Sequence, residues 1–421
     1  MQTAPFTPSV LNRLLLRFRR VTSGGGYIPE VDGVRCVAIL MVIAQHLHER
    51  VLRRFPGNHD EVEASWGHHL LSQGGMGVLI FFGLSGFILY QLLSRPLLQG
   101  QTLNWKAYFW RRVTRLEPPY IVITTGILLF VTVLGYKSGG KLLGKGGEPV
   151  LASYAATITY THTLIFGRPP SFNPPGWSLE TEVQFYLLAP LIALALLRLP
   201  RPWWRFGATV AIIAAWPTVV HAVTDANFQQ RFPTTILTFL PHFLAGVLVC
   251  EWMRATSPFS RGWSVAADLL ALVSLAKLTH VLHFHLPLLP GLEEPLLLTL
   301  ILLAAFRGYA VKALLSQPAV ATFGGMCYTI YLVHVPTLEL VASGTVRFFP
   351  GLGYWSLLGV EALIGVPMVV VVSAVAFLLV EQPCMRKNWP TELWDAIRRR
   401  LGAGKSTAGP GHPPSSRVRG R

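Results

Sequence analysis

Long apolar runs, separated by short basic or Gly/Pro-rich stretches, recur along almost the whole chain. Runs of about 18 residues or more can cross a hydrocarbon core of roughly 30 Å as helix. By length and apolar content they predict ten membrane-crossing helices, at 34–52, 76–93, 119–136, 177–197, 206–223, 234–252, 263–283, 292–306, 323–342 and 355–380. A further stretch, 150–166, is diluted by Thr, Tyr and His162, so hydropathy alone leaves it open. The pattern predicts an all-α, polytopic transmembrane bundle of about ten spans.

Charge placement decides the remaining stretch, because Lys and Arg in short loops collect on the cytoplasmic side. With ten spans and the N-terminus inside, most of the 36 Lys and Arg residues fall on the inner face. An eleventh crossing would carry the basic tail outside and lose that asymmetry. The segment between spans three and four is therefore expected to be external or re-entrant, with both termini cytoplasmic in a multi-pass protein of the cell (inner) membrane. Residues 14–18 form a short apolar patch broken by Arg17 with no cleavage site, so the first span is expected to direct its own insertion. Three parts follow: a basic N-terminal segment 1–27, a transmembrane domain 28–385, and a basic, partly disordered tail 386–421.

Composition agrees, with 52% hydrophobic and 13% charged residues; an ordinary soluble domain carries about 25% charged. A net charge of +16 raises the question of nucleic acid, but the basic residues sit at span ends and in the tail. Anionic lipid headgroups are the simpler partner, and no nucleic acid is expected. Four cysteines without paired spacing indicate neither a disulfide framework nor zinc. The cluster His280, His283 and His285 fits no metal spacing, so no metal is expected and the cluster is taken as interfacial.

Five stretches carry candidate chemistry. In RCVAILMVIAQH, Arg35 and His46 are eleven positions apart. That is about 1100° of helical rotation and a rise of about 16 Å, so both lie on one face, with His46 near mid-bilayer if Arg35 marks the inner boundary. Intramembrane ionisable residues turn toward the bundle interior and mark function more often than chance, although a core histidine beside a topology arginine would look the same. GGMGVLIFFGLSGF places glycines on a span, where close packing is the better explanation, and adds Ser85. In RRVTRLEPP, Arg112 and Arg115 share a helical face and offer forked donors suited to phosphate, or they simply hold the loop inside. WSLETEVQFYLLAP sets Glu180 and Glu182 at the mouth of an apolar span beside Trp177. CYTIYLVHVP adds His334, which alone reads as a satisfied core residue.

Taken in order, VDGVRCVAILMVIAQH, GVLIFFGLSGF, RRVTRLEPPY, WSLETEVQFYLLAP, CYTIYLVHVP and the terminal EQP resemble the motifs of the acyltransferase family 3 membrane O-acyltransferases. The likeness runs from about Gly33 to Pro383 and departs at Cys36, at Gly176 and in the extra carboxylate Glu180. The resemblance implies transfer of an acyl group, acetyl by default, from acyl-CoA to a hydroxyl of a glycan, without a permanently bound cofactor. It further implies that Arg112 and Arg115, with Arg35, bind the phosphates of acyl-CoA. His46 would then act as general base or accept the acyl group itself. Glu182 would orient the imidazole or bind the acceptor, and Ser85, Trp177, Glu180 and His334 would bind the acceptor or line its path. Two alternatives stay open: the same chemistry on a small glycoside or macrolide sugar, and a non-catalytic glycan or lipid transporter. Internal repeats would favour the transporter, and the halves show no convincing self-similarity.

Overall fold

The computed structural model describes residues 17, 18, 20, 26–133, 148–170, 173–284, 289, 291–386 and 388–402. Every regular element among them is a helix. The ten expected spans correspond in order to ten long helices: α1 (Pro29–Arg54), α2 (Gly74–Leu98), α3 (Trp105–Val133), α4 (Gly176–Leu196), α5 (Pro202–Val223), α6 (Ile236–Ala255), α7 (Arg261–Phe284), α8 (Glu293–Arg307), α9 (Cys327–Phe348) and α10 (Tyr354–Ala376). Eight of them are long and apolar enough for a crossing by length and composition. The other two are α3, whose first part is basic, and α8, which has only 15 residues. Residues 134–147 and 285–288, His285 included, lie outside the described residues, as do 403–421.

Helices α1 and α2 form the centre, with α6, α9 and α4 packed around them. The glycines of α2 serve packing, as their spacing suggests. A Cβ on Gly86 would stand 1.9 Å from the Phe243 carbonyl oxygen, and one on Gly246 would stand 2.0 Å from that of Gly83. Only hydrogen fits there, so α2 and α6 cross with their backbones in contact. Gly324 likewise lies so close to α1 that a Cβ would meet the Asp32 carbonyl at 1.7 Å.

Proline inside a membrane helix leaves the carbonyl four residues earlier without its N–H, and lipid offers no substitute. Three such carbonyls are each capped by an aromatic donor from another helix. Pro190 frees Tyr186, whose oxygen accepts from the Tyr108 hydroxyl at 3.0 Å. Pro241 frees Leu237, which accepts from Trp216 Nε1 at 2.6 Å. Pro118 frees Thr114, which accepts from Trp389 Nε1 at 2.9 Å. These bonds turn helix breaks into sites of interhelical attachment.

Charges inside the bundle are paired in the same spirit. The fully buried Glu251 accepts from Arg205 Nε at 2.7 Å, Arg254 Nη1 at 2.5 Å and the Tyr90 hydroxyl at 2.7 Å, joining α2, α5 and α6. At the other end of the bundle Glu339 of α9 is held by Arg50, at 2.6 Å, and by Arg54 of α1.

The undecided stretch 150–166 folds as two short helices, Val150–Ile158 and His162–Phe166, of nine and five residues. Nine residues rise about 14 Å, too little for a crossing. They meet at Tyr160, which adopts a left-handed φ of 56° and stacks on Tyr120 of α3 with ring centroids 4.8 Å apart. The beginning of the tail is also ordered, as a helix over Trp389–Gly402.

The proline caps make a non-additive prediction. Trp216→Phe strands the Leu237 carbonyl and should cost about 1–3 kcal/mol, read as a lower thermal midpoint in detergent. In a Pro241→Ala background residue 241 regains its N–H, so adding Trp216→Phe should cost little; equal losses in both backgrounds would reject the capping role.

Candidate active site

The arginine motif begins the site. Arg112 and Arg115 lie at i and i+3 near the start of α3 and line one cavity together with Arg35 of α1 and Arg20 from the segment before it. The cavity holds about 1140 Å³ of empty space, its open mouth included. Ser85, Glu182, Tyr186, Tyr331 and Glu381 also line it, with Gly324 and Gly325 at one wall. Three sequence candidates, Arg35, Arg112 and Arg115, thus line one cavity, joined by Arg20 and Glu381, which carried no spacing signal.

The four guanidinium groups differ in how they are compensated. Arg35 donates to Asp32 at 2.7 Å, and Arg20 donates to the same oxygen at 3.2 Å. Burial lowers the Arg20 pKa to about 10, helped by the neighbouring Arg35 charge and opposed by Asp32. Arg112 lies over the Tyr186 ring, 5.4 Å from its centroid, and over that of Tyr108 at 5.9 Å. Among the described residues neither Arg112 nor Arg115 has a carboxylate within 4.0 Å. Two partly buried cations facing a cavity, neither closely paired although Glu381 shares the chamber, can bind an anion, and forked donors suit phosphate oxygens.

Two carboxylates complete this chamber. Glu182 accepts from the Ser85 hydroxyl and from the Tyr186 hydroxyl, both at 2.6 Å. Glu381 accepts from the Thr329 backbone N–H at 3.1 Å and from the Thr329 hydroxyl. It ends a π-helical turn, Phe377–Glu381, just before Pro383. Pro383 cannot donate to the carbonyl of Leu379, and the widened turn points Glu381 at the arginines.

His46 lies outside the cavity lining. Its Nδ1 bonds Glu49 Oε2 at 2.9 Å, three residues along α1. Because the carboxylate accepts, Nδ1 carries a proton, and in the neutral ring the lone pair sits on Nε2. Glu49 in turn accepts from Gln45 Nε2 at 2.6 Å. The carboxylate that holds the imidazole is therefore Glu49, and the expected partner, Glu182, belongs to the arginine chamber. The i, i+3 spacing of His46 and Glu49 is itself legible in the sequence.

A thin layer separates the two regions. Tyr331 lines the cavity, donating to the Pro175 carbonyl at 2.9 Å and bonding Ser178 Oγ at 2.6 Å. Its ring centroid is 5.6 Å from that of His334, which is 5.2 Å from that of His46. His334 is fully buried; its Nδ1 donates to the carbonyl of Tyr331 at 2.8 Å, and its Nε2 has no partner among the described residues. Two sequence candidates fall elsewhere. Glu180 is buried and accepts from the Thr163 backbone N–H at 2.8 Å, fastening the 162–166 helix. Trp177 packs against Phe82 and Phe239, with centroids 6.2 and 5.4 Å away. Neither lines the cavity.

This arrangement, a basic chamber beside a histidine pair, coincides with a match to the family described as acyltransferase domain, over residues 28–380. The chain belongs to that acyltransferase family. Curated relatives include acyltransferase MdmB of Streptomyces mycarofaciens, 26% identical over 379 residues, which are 85% of this chain and 92% of the relative. Peptidoglycan O-acetyltransferase OatA of Listeria monocytogenes serovar 1/2a is 25% identical over 390 residues, 86% of this chain and 56% of the relative. O-acetyltransferase OatA of Staphylococcus aureus is 25% identical over 338 residues, 75% of this chain and 51% of the relative. The chain thus spans about half the length of these two OatA proteins. No solved structure matches it. An enzyme of acyl transfer in a multi-pass membrane bundle is the outcome, and the non-catalytic transporter is set aside.

The histidine geometry of this acyltransferase is measurable without substrate. In ¹⁵N spectra of nanodisc-embedded protein at a pH where the ring is neutral, His46 should show a single tautomer with Nδ1 protonated. Glu49→Ala should mix the two tautomers, and a spectrum unaffected by that change would refute the bond.

Proposed function

We propose that the protein moves an acyl group, acetyl by default, from acyl-CoA to a hydroxyl of a glycan or glycoside. The single observation that carries this reading is the chamber of four arginines, two of them without a carboxylate partner, next to His46. The phosphates of acyl-CoA bind Arg112 and Arg115, with Arg35 and Arg20 adding field, and the pantetheine arm runs past Ser85 and Glu182. The thioester reaches the Tyr331–His334 layer and the acceptor hydroxyl approaches from the side of Glu49, which is partly open. The names of the OatA relatives, which describe O-acetylation and, in one case, peptidoglycan, support a glycan acceptor. The likeness to MdmB covers nearly all of both chains and leaves a smaller glycoside as the second reading.

Two routes use the free Nε2 of His46. As general base it takes the proton of the acceptor hydroxyl while that oxygen attacks the thioester carbonyl; the C–S bond breaks and the proton passes to the departing thiolate. As carrier it attacks the carbonyl itself, releases the thiol and passes the acyl group on to the alcohol. A burst of one CoA per enzyme without acceptor marks the carrier route. Glu49 holds the ring in either case. The inner-membrane location with both termini on the cytoplasmic side, where acyl-CoA is made, belongs to the same proposal and is supported by the basic inner loops. Lipid headgroups are its remaining partner, and no resident cofactor is invoked.

The position of His334 favours one variant of the site: it, rather than His46, adjoins the cavity wall, and its Nε2 lacks a partner. Measured as thiol release from acetyl-CoA in nanodiscs, with a muropeptide disaccharide or a macrolide glycoside as acceptor, His46→Ala should abolish turnover. If His46→Ala turns over normally and His334→Ala does not, the base is His334.

For the donor, Arg112→Gln and Arg115→Gln should each remove a charge-assisted hydrogen bond of about 1.5–3 kcal/mol, raising the acetyl-CoA KM by roughly 10- to 100-fold. Unchanged donor KM in both variants would remove acyl-CoA from the chamber.

A further inference from the structure

The helix Trp389–Gly402 follows the last long helix almost directly and touches the rest of the chain mainly through its first residues. Trp389, Leu393 and Ile397 recur every four residues, with Trp394 beside them, forming one apolar stripe. Leu393, Trp394 and Ile397 are exposed. Thr391, Glu392, Asp395 and Arg399 occupy the opposite side. Arg398 borders the stripe with its guanidinium 5.0 Å from the Trp394 ring centroid. An amphipathic helix with a Trp-containing apolar face and a flanking arginine fits a bilayer interface whose lipids are anionic.

Its attachment is the second observation. The Trp389 Nε1–H bonds the Thr114 carbonyl, which is free only because Pro118 has no N–H. Thr114 sits between Arg112 and Arg115, so the tail helix is fastened to the backbone of the arginine motif. That bond also fixes which membrane face the helix occupies, namely the one next to the basic chamber.

We propose that the helix Trp389–Gly402 docks on anionic lipid at the arginine-bearing face of the membrane, with Leu393, Trp394 and Ile397 among the upper acyl chains and Arg398 at the headgroup phosphates. Pro118 supplies the tether point and Trp389 the tether. The polar face remains in water, and the arginine motif is anchored to the lipid surface through one hydrogen bond. This inference holds whatever the acceptor is and does not depend on turnover.

Spin labels on single cysteines placed by Ile397→Cys and Glu392→Cys in the full-length protein test it, since the native cysteines Cys36, Cys250, Cys327 and Cys384 are all buried. In vesicles of phosphatidylcholine with phosphatidylglycerol, the label at 397 should collide more with oxygen and less with a water-soluble nickel complex than the label at 392. The contrast should shrink in phosphatidylcholine alone, and Arg398→Gln should shrink it likewise. Trp389→Phe and Pro118→Ala, which remove the donor and re-occupy the carbonyl, should each increase the mobility of the label at 397. Equal aqueous access at both positions, shielding from oxygen and nickel together as at a contact between copies, or indifference to phosphatidylglycerol would each overturn the proposal.

Discussion

A charge or a bare carbonyl in hydrocarbon has nowhere to turn but to the protein itself, and that constraint organises this molecule. Glu251 collects two arginines and a tyrosine, Glu339 collects two more arginines, and the carbonyls left by Pro118, Pro190 and Pro241 each receive an aromatic donor. Against this thorough pairing, Arg112 and Arg115 stand out, because they face a cavity and no carboxylate meets them among the described residues. Guanidinium groups so placed favour an anionic ligand.

The same backbone contacts that tighten the bundle shape the chamber. The glycine crossing of α2 with α6 draws Ser85 toward α4, where Ser85 and Tyr186 share Glu182. Close approach of Gly324 to α1 sets Asp32 and Arg35 beside the start of α9. Packing and chemistry are therefore not separate layers here; a methyl group on one of these glycines would move a charged wall.

The division between the basic chamber and His46 gives the enzyme two environments a few ångströms apart. On one side guanidinium groups favour phosphate; on the other Glu49 orients an imidazole near a partly open face. Tyr331 and His334 form the layer between them. In the proposed reaction such a layer would let donor and acceptor enter from different sides without a continuous water path, which would hydrolyse a thioester.

Length and apolar content alone determined the membrane bundle and the order of its long helices, because a hydrocarbon core sets a fixed minimum for each crossing. The one-face relation of Arg112 and Arg115 also followed from helical spacing, and the ordered motifs pointed to acyl transfer. What the tertiary structure decided was partnership. Glu180 and Glu182 are two residues apart, yet one fastens a short helix and the other enters the chamber, since successive helical positions face different neighbours. Arg20 and Glu381 reach the same cavity from opposite ends of the chain, a meeting that no local pattern encodes. Helical period fixes a residue's own face, whereas the group it meets depends on how separate helices pack.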